Sequence, residues 1–371
     1  MKRCYITKSN CITPLGNSVS QNWNAIQEGA SGIAKHSRMG MLEDFYASII
    51  PNDMILSNAE GWSKMEKLLV QVLEPIIDTS KINERTAFIF STTKGDIIQL
   101  ENKSATIEQA QLATLAKKVA LHFGFTAEPI VVSNACVSGI LAVSVAKRLI
   151  QGDLYDNAYV IAGDEVTEFV LSGFNSFQAM SDAPCKPYDA NRTGVTLGEA
   201  VAAVYVTSFE EEIKSNDFEI LGEGAVNDAN HISGPSRTGE GLYRSIQSAL
   251  KEAGVEANHI DTISAHGTAT PYNDEMEAIA LNRLGLQDKP VNSMKGYYGH
   301  TLGASGLLET VMVLESARQN QLIVSKGYET CGVSQPIRVV THADKVEINT
   351  LLKTASGFGG CNTAVVFKKI Q

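Results

Sequence analysis

Cys136 stands in Val131-Val132-Ser133-Asn134-Ala135-Cys136-Val137-Ser138-Gly139, where a β-branched pair leads into small residues and then the apolar run Ile140-Leu141-Ala142-Val143. That order reads as a buried strand ending on a sharp turn, with the thiol in the first turn of a helix. Unpaired amide N–H groups and the positive end of the helix dipole converge there, which favours thiolate over thiol. Taken alone, Cys136 reads first as a core thiol, because free cysteine is among the most buried residue types. Only partners elsewhere in the chain can overturn that reading.

Several later stretches supply candidates. His266 lies in Ser264-Ala265-His266-Gly267-Thr268-Ala269-Thr270-Pro271, and His300 in Lys295-Gly296-Tyr297-Tyr298-Gly299-His300, each just past a short apolar strand pattern. Ligands in open α/β sheets gather at the carboxyl ends of strands, where Cys136 also falls. Each histidine singly reads as a hydrogen-bonded structural residue. Beside a thiolate, two imidazoles could offer N–H donors to a developing enolate or oxyanion. The two histidines are far apart in sequence with no third ligand evident, which disfavours zinc, and no metal site is expected. Ser356-Gly357-Phe358-Gly359-Gly360-Cys361-Asn362 is either a tight hairpin or a turn that brings backbone N–H groups to a substrate.

The elements that must position these residues follow from periodicity. Ser18 to Glu28, Trp62 to Ile77 and Ala105 to Phe123 read as helices, and Thr86 to Ser91 and Ala158 to Glu165 as buried strands. Residues 30–60 read as loops and short edge elements. The second half repeats the grammar: a strand from Phe218, helices over Gly239 to Ala253, Asp274 to Leu284 and Ala304 to Gln319, and closing strands over Leu351 to Ser356 and Ala364 to Phe367. Apolar strands alternating with helices predict a mainly parallel sheet covered on both faces. Ser138-Gly139-Ile140-Leu141 and Ser305-Gly306-Leu307-Leu308 echo one another, which suggests duplication with a boundary near 208–217.

The chain has 371 residues, 44% hydrophobic and 19% charged, as expected of a globular protein with a sizeable core. A formal net charge of −10 argues against nucleic acid or an anionic membrane as the main partner. Six scattered cysteines without CxxC pairs fit neither a disulfide framework nor a zinc site. With no signal-peptide pattern and no membrane span, a cytoplasmic location is the expectation.

Taken together, the stretches resemble the β-ketoacyl-acyl carrier protein synthases of the elongating, Cys-His-His type, within the thiolase superfamily. The resemblance covers nearly the whole chain. Its motifs are Ile12-Thr13-Pro14-Leu15-Gly16-Asn17, Asn134-Ala135-Cys136-Val137-Ser138-Gly139, Lys186-Pro187-Tyr188-Asp189 through Gly198-Glu199, His266-Gly267-Thr268 with Thr270-Pro271, Asn273-Asp274 and Glu277, and Lys295 with Gly299-His300 and Gly303-Ala304-Ser305-Gly306.

The resemblance implies an α/β, thiolase-like fold, duplicated and five-layered (α-β-α-β-α) with two mixed sheets, divided into halves 1–212 and 213–371. It implies a decarboxylative Claisen condensation without cofactor or metal, serving fatty-acid or polyene/polyketide-type elongation. Cys136 would carry the acyl chain as a thioester. His266 and His300 would hold the malonyl carbonyl. Lys295, paired with Glu277, would orient His300. The N–H groups of Cys136 and Phe358 would form the oxyanion hole, with Phe358 as gate. Thr268, Thr270, Gly357 and Gly359 would bind substrate. Acyl- and malonyl-loaded carrier protein would be the partner, docking at Lys64 and Lys67, and the assembly would be a homodimer or a heterodimer with a related subunit.

Departures are Ser356 where phenylalanine is usual, Cys361 for threonine, Ala200 for the second glycine after Glu199, a shortened stretch between Phe90 and Phe123, and Asn58 and Ala59 at usually basic positions. Rivals are a thiolase and a non-catalytic chain-length-determining subunit, although such subunits usually lack the cysteine.

Overall fold

The structure is a computed structural model that describes residues 2–55, 60–228 and 234–371. Asn58 and Ala59 lie outside the described residues. The main sheet contains, in chain order, β1 (Tyr5–Ile12), β2 (Thr86–Ser91), β3 (Ile130–Val132), β4 (Asn157–Asp164), β5 (Ala200–Thr207), β6 (Phe218–Asn227), β7 (Thr262–Ser264), β8 (Val291–Asn292), β9 (Thr350–Gly357) and β10 (Cys361–Lys369). The helices that cover it are α1 (Val19–Gln27), α2 (Lys64–Leu73), α3 (Leu112–His122), α4 (Ser138–Gln151), α5 (Glu168–Ser176), α6 (Glu240–Ala253), α7 (Pro271–Arg283) and α8 (Ser305–Gln319).

Spatial order is β8-β7-β9-β10-β6-β1-β5-β4-β2-β3. The expectation of a mainly parallel sheet is corrected: β1/β5, β5/β4, β6/β10 and β10/β9 are antiparallel, and only the outer pairs β4/β2, β2/β3, β9/β7 and β7/β8 are parallel. Both kinds of pair are buried on two faces here, so apolar runs do not reveal strand direction. The two five-stranded mixed halves pair edge to edge through Tyr5↔Glu219 and Ile6↔Phe218.

Alternate residues of each strand feed different layers. In β4, Ala158, Val160 and Ala162 face a central core, while Tyr159 and Ile161 face an outer one built from α2 and α3. In β10, Val365 and Phe367 enter the central core, while Ala364 and Val366 meet α6 and α7. Helices α4 and α8 fill the central layer, through Ile140, Val143, Leu307 and Val311. The Ser-Gly echo marks their crossing. A Cβ at Gly139 would stand 2.6 Å from Leu307 N, and one at Gly306 would stand 2.6 Å from Ile140 N. Only glycine allows backbones to approach so closely.

Two local expectations change. Helix α3 starts at Leu112 rather than Ala105, after an extended Gln111 with no side-chain cap; Ile107, 70% exposed, finds no face to cover. Residues 30–60 contain a hairpin, Ile33–Met39 with Leu42–Ser48, turning at Gly40 (φ 57°). It pairs with Leu197–Gly198 in a separate three-stranded sheet. Helix α2 begins at a capping box in which Ser63 and Glu66 satisfy each other's backbone N–H groups.

Candidate active site

The nucleophile turn is built as its residues dictate. Ala135 takes φ 45°, a left-handed conformation that reverses the chain between β3 and α4. The Ser138 hydroxyl donates to Ala135 O (2.6 Å) and accepts from Asn134 N–H (2.7 Å), which holds the turn closed. Cys136 is 7% exposed. The expected tilt towards thiolate is corrected. Burial pushes the thiol up to about 12, and Cys361 adds to this, while Lys295 and the Phe358 N–H only partly offset it. Loss of water is the largest influence on the thiol.

His266 follows β7, and Gly267 (φ 45°) turns the chain under it; a Cβ there would meet Ser293 and Tyr188. Glu277, on α7, accepts from His266 N–H (2.8 Å), Gly267 N–H, Tyr188 Oη (3.0 Å) and Asn273 Nδ2 (2.8 Å). Its task is to hold this loop. Lys295 does not pair with it, contrary to expectation: Lys295 Nζ lies 2.7 Å from Glu309 Oε1 on α8. Nor does Lys295 orient His300. Its Nζ is 3.3 Å from His266 Nδ1 and donates to His266 O at 2.6 Å. An ammonium has no lone pair to offer, so His266 Nδ1 accepts and the ring proton sits on Nε2.

His300 is placed by Gly299, whose φ of 67° and close approach to Leu197 O exclude a side chain. Leu302 N–H donates to His300 Nδ1 (3.0 Å), and Ser305 Oγ also lies 3.0 Å away. Nδ1 is therefore the acceptor and Nε2 carries the proton; Nε2 is buried without a partner among the described residues. The rings sit 5.1 Å apart at 85°. Both imidazoles are held well below their usual range, first by burial and then by Lys295, with Lys353 contributing to both. They are neutral donors.

Sequence distance argues against a zinc site, yet ligand atoms of Cys136, His266 and His300 all lie within 4.8 Å of one another. With both Nδ1 atoms engaged as acceptors, the two imidazoles are left with N–H donors rather than a set of lone pairs.

The trio opens into a cavity of about 690 Å³ lined by Cys136, His266, His300, Thr268, Thr270, Gly357 and Phe358, among others. The hydroxyls of Thr268 and Thr270 are 2.8 Å apart. Phe358 packs on Phe174 (5.6 Å) and Phe177 (5.5 Å), both from α5 and its C-terminal turn. Ser356 lines the same cavity and donates to Asn362 Oδ1 (2.8 Å), so a hydroxyl and open volume stand where an aromatic ring is usual. Cys361 is buried, with Sγ 3.4 Å from Phe358 O.

Two expected binding residues are displaced. Gly359 is exposed, with nothing within 4 Å of the place a Cβ would occupy, and it is Gly360 that lines the cavity. Lys64 is engaged with Glu199 Oε2 (2.6 Å) and is not a free docking cation. Lys67 is half-buried on α2 and makes no ion pair among the described residues. Glu309, Lys353, Phe174 and Phe177 belong to the site without having been expected from sequence, and Ser305 from the second histidine motif joins them. Glu309 and Lys353 do carry a signal: each is a lone charge inside an otherwise apolar stretch.

Comparison with known proteins agrees with this arrangement. The model for the Beta-ketoacyl synthase N-terminal domain matches residues 77–212, and that for the Beta-ketoacyl synthase C-terminal domain matches 218–328. A putative mitochondrial 3-oxoacyl-[acyl-carrier-protein] synthase of Schizosaccharomyces pombe is 28% identical, over 100% of this chain and 99% of the relative. The 3-oxoacyl-[acyl-carrier-protein] synthase 2 of Staphylococcus aureus (strain COL) is 28% identical with the same coverage. The solved ketosynthase ApeO, in complex with its chain length factor ApeC from Xenorhabdus doucetiae, superposes with a TM-score of 0.86 at 25% identity, covering 99% of this chain and 98% of that one. With a thiol and two imidazole donors meeting at the end of a duplicated thiolase-like core, the chain belongs to the β-ketoacyl synthase family of acyl-transferring condensing enzymes.

Proposed function

We propose that Cys136 is acylated from a carrier-protein thioester and that His266 and His300 drive decarboxylation of a malonyl thioester beside it. The observation that carries this reading is the pair of occupied Nδ1 atoms, which leaves each Nε2–H free to donate, on histidines whose rings gather with the Cys136 thiol. A malonyl thioester oxygen accepting both would bear the charge released when the bond to the carboxylate breaks and CO2 leaves. The enolate carbon then attacks the acyl-Cys136 carbonyl. The tetrahedral oxyanion sits on the N–H groups of Cys136 and Phe358, the C–S bond breaks, and the sulfur recovers a proton as the β-ketoacyl product departs. Because the resting thiol is protonated, acyl transfer to it removes that proton as the new C–S bond forms, the carrier's thioester C–S bond breaks, and the proton leaves on the released carrier thiol.

Thr268, Thr270 and Gly357 line the route and are read as substrate contacts; Lys67 remains a candidate for carrier docking. The halves 1–212 and 213–371, a cytoplasmic location, and pairing with a second synthase-like chain belong to the same reading. The complex of ApeO with a chain length factor supports heterodimeric pairing. No described helix is long and apolar enough to cross a membrane.

The test is acylation of purified protein by acyl-carrier protein, followed by intact mass, and product formation after addition of malonyl-carrier protein. The wild type gains one acyl adduct and forms a β-ketoacyl product; Cys136→Ala does neither. Undiminished product from Cys136→Ala would sink the proposal.

A further inference from the structure

Buried charges need a reason, because each must be compensated at close range. Among the described residues, Lys353 is one of the largest fully buried side chains, at 0% exposure in the middle of β9. Its Nζ donates to Glu309 Oε2 (2.6 Å) and Thr354 O (2.7 Å) and lies 3.3 and 3.5 Å from the carbonyl oxygens of Ser264 and Ala265. Burial lowers the pKa of the Lys353 ammonium and the Glu309 carboxylate opposes this; each of these neighbours is an acceptor, which suits a charged ammonium and not a neutral amine. Two features tie it to the site. Ser264 and Ala265 are the end of β7 and the residue that leads directly into His266. The other oxygen of the same Glu309 carboxylate holds Lys295, which contacts His266 at Nδ1 and at its carbonyl.

We propose that Lys353 is a positioning residue for the condensation, fixing His266 from two sides: through the Ser264-Ala265 carbonyls that lead into it, and through Glu309 and Lys295. The two lysines share Glu309, and their positive charge bears on the histidine pair. That charge has a purpose, since it opposes formation of an imidazolium in the same cavity, and the neutral Nε2–H donor is preserved. The inference rests on the decarboxylative role proposed above for His266.

The groups facing His266 are Lys295, His300 and Lys353, Glu309 behind both lysines, Cys136 across the cavity, and Glu277 on its backbone N–H. Burial lowers its imidazole first, and Lys295, His300 and Lys353 lower it further. Removing the Lys353 charge therefore raises the pH at which His266 takes up a proton.

The experiment compares wild type with Lys353→Met and Lys353→Gln. Cys136 acylation is followed by intact mass, and CO2 release from malonyl-carrier protein is followed across pH. The neutral variants should acylate within about twofold of wild type. Their decarboxylation should fall ~10- to 100-fold, as expected for loosened alignment, and its acidic limb should move up by about 0.5–1 pH unit. Lys353→Arg, which keeps the charge, should retain the wild-type limb position. Two folded neutral variants with wild-type decarboxylation and an unmoved limb would overturn the proposal. So would failure of both to fold, because Lys353 would then serve the core and not His266. A wild type that neither acylates nor decarboxylates would instead overturn the synthase reading itself.

Discussion

Gly357→Ala tests the oxyanion geometry with one methyl group. A Cβ at this position would stand 2.9 Å from Cys361 Sγ, 3.0 Å from Cys136 N and 3.3 Å from Ala135 Cβ, where ordinary contact begins at 3.4 Å. Gly357 has no left-handed φ, so the perturbation is steric and not torsional. The nucleophile turn is braced by Ser138 and by α4, so the strain is taken up by the 357–360 turn, which shifts by roughly half an ångström. Phe358 N–H moves with it. An oxyanion donor works within about 2.7–3.1 Å of the charge, and losing one outright costs ~10²–10³ in rate. A partial displacement should cost ~10- to 100-fold in condensation, or about 1.4–2.8 kcal/mol of barrier. Overpacking should cost about 1–3 kcal/mol of stability.

The assay separates the two half-reactions. Condensation is measured on pre-acylated enzyme, and CO2 release from malonyl-carrier protein is measured alone. His266 and His300 lie on other elements, so decarboxylation should stay within about threefold of wild type. Cys361→Ala removes the sulfur contact but not the contact with Cys136 N, so the double variant should remain impaired. Condensation at the wild-type rate, or equal losses in both half-reactions, would refute the reasoning.

Other expectations follow from the same geometry. Decarboxylation requires neutral imidazoles, and both are depressed by burial and by lysine charge, so its acidic limb should lie below pH 6.5; a limb above that value in a CO2-release profile counts against the donor assignment. The Cys136 thiol is pushed up to about 12 by burial, so alkylation of resting enzyme by iodoacetamide should still climb about tenfold per pH unit between pH ~7 and ~9. A plateau near pH 8 would show that the helix end prevails after all. Gly306→Val puts side-chain carbon against Ile140 N at the α4–α8 crossing and should cost roughly 3 kcal/mol, seen as a lowered thermal midpoint. A midpoint within about 2 °C of wild type would deny the crossing its role.

The residue types that perform chemistry are legible along the chain because each sits in a local pattern of its own. A thiol after a β-branched pair, histidines beside glycines, and a glycine-rich turn are short-range signals set by backbone geometry. The Ser-Gly echo is legible for the same reason, and the structure turns it into two backbones in contact. Pairings are not. Family resemblance joins Lys295 to Glu277 because both belong to recognisable motifs, whereas the partner is Glu309, facing inward from α8. Which carboxylate reaches an ammonium depends on helix packing, and no spacing rule crosses from one helix to another. Strand direction is hidden too, since strands covered on both faces look alike whether parallel or antiparallel.

The thiol's ionisation goes the same way: a helix N-terminus is visible in sequence, but the desolvation that pushes the thiol up belongs to the assembled layers. Sequence by itself determined which groups are present and which turns expose them, because those are local consequences of side-chain size and backbone freedom. Tertiary structure alone decided which nitrogen of each histidine carries its proton, because that depends on which lysine and which amide the fold sets against each ring.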